Sequence, residues 1–126
     1  MLTSFFDNID RIKYPVSISR FSPSWYEGPK YLDVAPSESL LNWYHNEKKN
    51  GANEYNLQKE YEQKYINETL SQLNPEKVWN DICSLYPEAD SREITLLCYE
   101  APGKFCHRHL LAAWLKKHGY QIKEKL

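Results

Sequence analysis

The run Ile94-Thr-Leu-Leu-Cys98 constrains this chain more than any other segment. A sheet with one wet face needs polar and apolar side chains in alternation, and this run has none. It predicts a strand covered on both faces, as in a parallel sheet. The residues after it agree. Cys106 to Gly119 reads as a helix with Leu110, Leu111, Trp114 and Leu115 as its apolar stripe. Lys116, Lys117 and His118 suit the negative end of its dipole, and Gly119 closes it.

The remaining elements fit the same plan. Pro15–Ser19 reads as the first strand, and Arg20–Ser37, with three prolines and one glycine, as an irregular loop. Ser37 caps a predicted helix that runs to about Lys49 and stops at Gly51. A second helix is expected from Glu54 to about Leu73, on the spacing of Leu57, Tyr61, Tyr65, Leu70 and Leu73. Asn74-Pro75 announces a third, ending before Pro87, with Val78, Trp79, Ile82 and Leu85 facing inward. Tyr120–Glu124 can add an edge strand. The expected architecture is α/β: one small three-layer domain over residues 1–126, mainly parallel, in the order β-α-α-α-β-α-β with right-handed crossovers.

Composition narrows the function. With 126 residues the chain can bury one core, and its ten tyrosines and four tryptophans make that core aromatic and amphipathic. A net charge of −1 provides no global basic field to hold a long nucleic acid. The N-terminus lacks the basic region of a signal peptide, and no apolar run approaches a membrane span. Three cysteines make an odd set, so free thiols in the cytoplasm are the expectation.

Chemistry concentrates in Thr95–Leu115. Ligands of open parallel sheets bind outside the carboxyl ends of the strands. Cys98 and Glu100 stand at such an end, and the loop beyond them leads to Cys106, His107 and Arg108 in the first turn of the helix. Cys106 has a helix N-terminus and cationic neighbours to make it a reactive thiolate, or it packs as a small apolar group. Cys98 is a buried structural thiol, or it faces Cys106 as an exchangeable pair. The seven residues between them exclude the redox C-x-x-C arrangement. Glu100 can act as general acid or base, or orient Arg108. His107 is a candidate proton carrier or a helix cap, and His109 faces solvent. Gly103 lets backbone approach a ligand. Arg108 in a first turn opposes the dipole and calls for an anion. If the first strand runs adjacent and parallel to Ile94–Cys98, Ser19 and Arg20 reach the same crevice and complete an anion pocket.

Zinc is the competing idea, through Cys98, Cys106, His107 and His45. Their spacing matches no standard zinc pattern, and neighbouring Cys and His side chains diverge on a helix. No metal and no cofactor are expected.

Two stretches, Ser17–Tyr44 and Leu96–Leu115, resemble the domain-of-unknown-function 488 family in its short form, and the likeness extends from about Tyr14 to Gln121. Its most specific part is Cys98, Glu100 and Cys106-His107-Arg108; Arg20, Pro36, Tyr61 and Tyr65 also match. The resemblance implies an intracellular α/β domain with a polar Cys/Arg pocket and leaves the reaction open.

The leading expectation is a cytoplasmic enzyme for a small anionic or nucleotide-like substrate. Arg20 and Arg108 hold the anion, Glu100 or His107 moves protons, and Cys106 or Cys98 attacks or tunes the site. The alternative is a non-catalytic module for nucleotides or single-stranded nucleic acid, stacking bases on Phe21, Trp25, Tyr26 and Tyr31 with Lys30 and Lys104 near phosphates. A blander one is an interaction protein with a vestigial pocket. The sequence leaves the oligomeric state open.

Overall fold

A computed structural model describes residues 1–101 and 103–125. Its four strands are β1 (Leu2–Phe5), β2 (Tyr14–Ser17), β3 (Ile94–Cys98) and β4 (Lys123–Glu124). They form one parallel sheet in the order β2-β3-β1-β4. The α-helices are α1 (Glu38–Lys49), α2 (Glu54–Glu68), α3 (Pro75–Ser84) and α4 (His107–Lys117). This is the α/β class with a parallel sheet that the sequence predicts.

Local chemistry sets the boundaries. Ser37 accepts from the Leu40 amide at 3.1 Å, and Asn74 accepts from the amides of Glu76 and Lys77 ahead of α3. α2 ends earlier than its apolar spacing suggests, and a 3-10 turn at Leu70–Gln72 carries the stripe onward. α4 begins one residue later than expected. Cys106 is its N-cap, with extended backbone at φ −157° and ψ 147°.

The strand that the sequence reading missed is β1, and it is central. Its middle residues, Thr3 and Ser4, look unsuited to a core. Both are buried and satisfied by β4 and the residue after it: Thr3 Oγ1 donates to Glu124 Oε1 at 3.3 Å and Ser4 Oγ to the Lys125 carbonyl at 3.2 Å.

All four helices feed one apolar core. Leu40, Tyr61, Tyr65, Val78, Ile82, Leu111 and Leu115 meet Val16, Ile18, Ile94 and Leu96 there. Leu97 points to the opposite face of the sheet, as its neighbour Leu96 requires, and packs with Phe6 and Tyr26. That cover comes from a 3-10 turn (Phe6–Arg11) and the loop after β2, a thinner layer than the helices opposite.

The loop is pinned from within. Tyr26 Oη donates to the Pro29 carbonyl at 2.6 Å and accepts from the Ser17 amide at 3.1 Å. Gly28 lies so close that a Cβ there would stand 2.5 Å from that hydroxyl. Farther on, fully buried Tyr65 donates to the Val34 carbonyl at 2.6 Å. These ties set Arg20 and Pro36 over the carboxyl ends of β2 and β3. Among the described residues no helix is long and apolar enough to cross a membrane.

Candidate functional site

β2 and β3 are adjacent and parallel, with Ser17 opposite Leu97. The chain leaving β2 therefore meets the chain leaving β3 at one rim. There a cavity of about 500 Å³ opens, and Ser19, Arg20, Cys98, Glu100, Cys106 and His107 all line it. Residues some eighty positions apart share this hollow because the sheet places two strand ends side by side.

The floor is the most buried part. Cys98, Cys106 and His107 are each less than a tenth exposed, and Cys98 and Cys106 are joined as a disulfide. The expectation of three free thiols is corrected for this pair; Cys83 alone is free among the described residues, half-buried against the core. Cys106 is the N-cap of α4, with extended backbone, and Cys98 ends β3, so the pair links the strand end to the start of the helix.

His107 is fixed by its ring contacts. Nε2 lies 2.8 Å from the Ile18 carbonyl, which can only accept, so Nε2 carries the proton. Nδ1 is left with its lone pair, 3.8 Å from Cys106 Sγ. Burial lowers the His107 pKa to about 4; Arg108 and His109 push the same way, and the Ile18 carbonyl opposes them. The ring is thus neutral near pH 7.

Arg20 reaches over the cavity from the loop. Nε donates to the Pro36 carbonyl at 3.1 Å, and Nη2 to the carbonyls of Ala35 and Leu32 at 3.3 and 3.5 Å. These neutral acceptors orient the guanidinium without cancelling its charge. Ser19 Oγ is buried with no hydrogen-bond partner among the described residues, although its residue lines the cavity.

Two expected site residues lie elsewhere. Arg108 is fully buried and is not among the cavity-lining residues. The anion that its position demands belongs to the chain itself: Nε and Nη2 donate to the Glu124 carboxylate at 3.1 and 3.4 Å. Nη1 donates to Cys98 Sγ at 3.0 Å and to the Glu100 main-chain carbonyl at 2.5 Å. Glu100 thus meets Arg108 through its backbone, and its side chain is left for the cavity. Gly103 is exposed at φ +80°, and a Cβ there would meet nothing within 4 Å. Its positive φ is one that glycine adopts without strain, and it lets the chain turn between Cys98 and α4. His109, expected in solvent, packs beside Glu124, with Nδ1 3.6 Å from Oε2; burial lowers its pKa.

The aromatic residues also redistribute. Of the four loop aromatics, Phe21 lines the cavity. Trp25 packs edge-on against Phe6, Tyr26 is buried, and Tyr31 donates to Asp81 Oδ2 at 2.8 Å. The walls come instead from Tyr44, Tyr61 and Phe105. Tyr61 stands edge-on to the other two at 5.2 Å between ring centroids. Tyr44 and Tyr61 fall on helical apolar stripes and read as core, so their spacing gives no sign of a cavity. Phe105 offers only its position beside Cys106.

Fold and geometry together define a parallel α/β domain with an aromatic-walled cavity at the carboxyl rim of its sheet. The chain belongs to the DUF488-N3a family, whose model, described as the active DUF488-N3 subclade, matches residues 13–119. The match spans β2 to the end of α4 and includes every residue expected at the site. No curated protein and no solved structure matches the chain.

Proposed function

We propose that the cavity is the active site of a cytoplasmic enzyme acting on a small anionic, nucleotide-like substrate. The observation that carries this is the convergence of Ser19, Arg20, Cys98, Glu100, Cys106 and His107 on one aromatic-walled hollow. Its size suits a small molecule. Tyr44, Tyr61 and Phe105 offer ring faces and edges to a flat heterocycle, and Ser19 Oγ offers an unused hydroxyl. Arg20 takes the anionic group. Nη1, which has no hydrogen-bond partner among the described residues, is its natural donor. Glu100 carries the proton transfer, because burial lowers the basicity of His107, whose pKa falls to about 4 and whose Nε2–H is committed to Ile18. Cys98 and Cys106, once reduced, attack or tune the reacting centre from the floor.

The test is a panel of nucleoside mono-, di- and triphosphates incubated with reduced protein. Binding is followed by calorimetry and turnover by phosphorus NMR. Binding and product formation are expected, with Glu100→Gln lowering turnover by about 100-fold or more while binding persists. A folded, reduced protein that binds none of the panel rules the reading out. The second reading, a nucleotide-binding module without chemistry, draws on the exposed rings of Phe21 and Tyr99 at the rim. Binding without any turnover selects it.

A further inference from the structure

The floor of the cavity has a feature that the anion pocket does not explain. Cys98 Sγ, Cys106 Sγ and a ring nitrogen of His107 all lie within 4.8 Å of one another. We propose that the reduced protein binds one thiophilic divalent cation, of the zinc type, through these three atoms, with a fourth coordination position open to the cavity. The proposal rests on the cavity being the active site and gives the two sulfurs the role of ligands rather than attacking groups.

Tetrahedral zinc bonds of about 2.0–2.3 Å set its ligand atoms roughly 3.3–3.8 Å apart. Cys106 Sγ and His107 Nδ1 are already 3.8 Å apart. Adjacent residues achieve this because Cys106 is not on the helix: its extended N-cap backbone folds Sγ back beside the ring of the first helical residue. The objection that neighbouring Cys and His side chains diverge on a helix therefore does not hold here.

The surroundings are those of a metal site. A ligating histidine characteristically donates its second ring N–H to a carbonyl or carboxylate, and His107 does so to Ile18. Arg108 donates to Cys98 Sγ, a contact that favours a thiolate there, and Glu124 balances the arginine. Two thiolates and a neutral imidazole cancel a divalent charge, so the buried floor is left without net charge. On the cavity side, Ser19 contributes the unpartnered hydroxyl, a ready partner for a water or substrate oxygen in the open position.

The disulfide and the metal exclude each other. Reduction breaks the S–S bond: two electrons come from a phosphine or a dithiol, and each sulfur takes a proton. The sulfurs then separate to ligand spacing, and the cation displaces both protons. The oxidised protein should bind no metal at this place.

Cobalt(II) added to full-length protein reduced with a phosphine is the experiment. One equivalent should bind and give intense thiolate-to-cobalt charge-transfer absorption that zinc abolishes. Cys98→Ser and Cys106→Ser should remove the absorption, His107→Ala should weaken binding at least tenfold, and Cys83→Ser should change nothing. As a check independent of variant folding, zinc should protect two of the three wild-type cysteines from alkylation. Absence of the band in reduced, folded wild-type protein overturns the proposal, as does equal alkylation of all three cysteines with zinc present. Nucleotide binding without a cobalt spectrum sinks the metal site alone. A cobalt spectrum in a protein that binds no nucleotide sinks the active-site reading and leaves the metal site standing.

Discussion

Arg20 lines the cavity and Arg108 lies buried behind Cys98 without lining it, so the same side chain does two different things near one strand end. Arg108 has no exposed surface, and a carboxylate cancels its charge. Arg20 lies at the rim, held by three main-chain carbonyls that leave its charge intact. The difference lies in the partner. Glu124 arrives on β4, and with it Arg108 ties α4, β3 and β4 together. No carboxylate reaches Arg20 within ion-pair distance among the described residues. A guanidinium that is oriented but not neutralised is suited to an incoming anion; one that is neutralised and buried is part of the frame.

The largest effect that can break this contrast is the removal of each arginine in turn. Arg108→Met leaves Glu124 half-buried without its partner and Cys98 Sγ without a donor. Breaking a buried pair from one side costs about 3–5 kcal/mol, so the variant should unfold at much lower urea or not accumulate as folded protein. Arg20→Met should keep most of its stability in the same titration. Equal losses in the two variants would erase the distinction.

A second effect runs through His107, which joins the two regions by way of the Ile18 carbonyl. Its folded pKa of about 4 lies below the usual 6.5, so the unfolded chain takes up the proton first as pH falls. The stabilisation is complete above pH 6.5 and is lost as pH drops toward 4, by roughly 3 kcal/mol if the full shift is expressed. Urea midpoints of oxidised, metal-free protein across that range should fall more steeply than those of His107→Gln. Parallel profiles would mean that the ring is hydrated rather than buried.

How much of this was legible beforehand differs between the same two regions. The β3–α4 connection announces itself locally: an apolar run, a turn and a capped stripe lie within one short stretch. The convergence of Ser19 and Arg20 with it follows from one further assumption, that the two strands pair. The pairing of Arg108 leaves no such trace, because its partner is Glu124, on a two-residue strand whose contact is set by tertiary packing and not by spacing. β1 was missed for the same reason. Thr3 and Ser4 are acceptable in a core only once β4 supplies acceptors, and no local pattern encodes that. The aromatic walls were hidden because a tyrosine facing a cavity and one facing a core leave the same helical trace.

Gly28→Ala sharpens the contrast from the loop side. The new methyl would meet Tyr26 Oη at 2.5 Å, and that hydroxyl cannot swing away without losing Ser17 and Pro29. Overpacking of this kind costs about 1–3 kcal/mol. The change should loosen the Arg20 loop and leave Arg108 and Glu124 in place. Amide exchange should rise in residues 20–36 while α4 stays protected. Uniform loss of protection would show that loop and helix open as one unit.

The smallest expected effect on stability is the most informative about function. Arg20→Ala removes three hydrogen bonds to rim carbonyls, and water can replace the arginine there, so the cost should stay near 1 kcal/mol. Its effect on ligand binding should be larger. Loss of a charge-assisted contact to an anion is worth about 1.5–3 kcal/mol, so calorimetry with a nucleoside phosphate should show affinity at least about tenfold weaker. Affinity for the uncharged nucleoside should hardly change. That selectivity is what separates a rim cation that reads charge from one that only braces the loop: a bracing residue would weaken both ligands equally, and Arg20 would then belong with Arg108 in the frame.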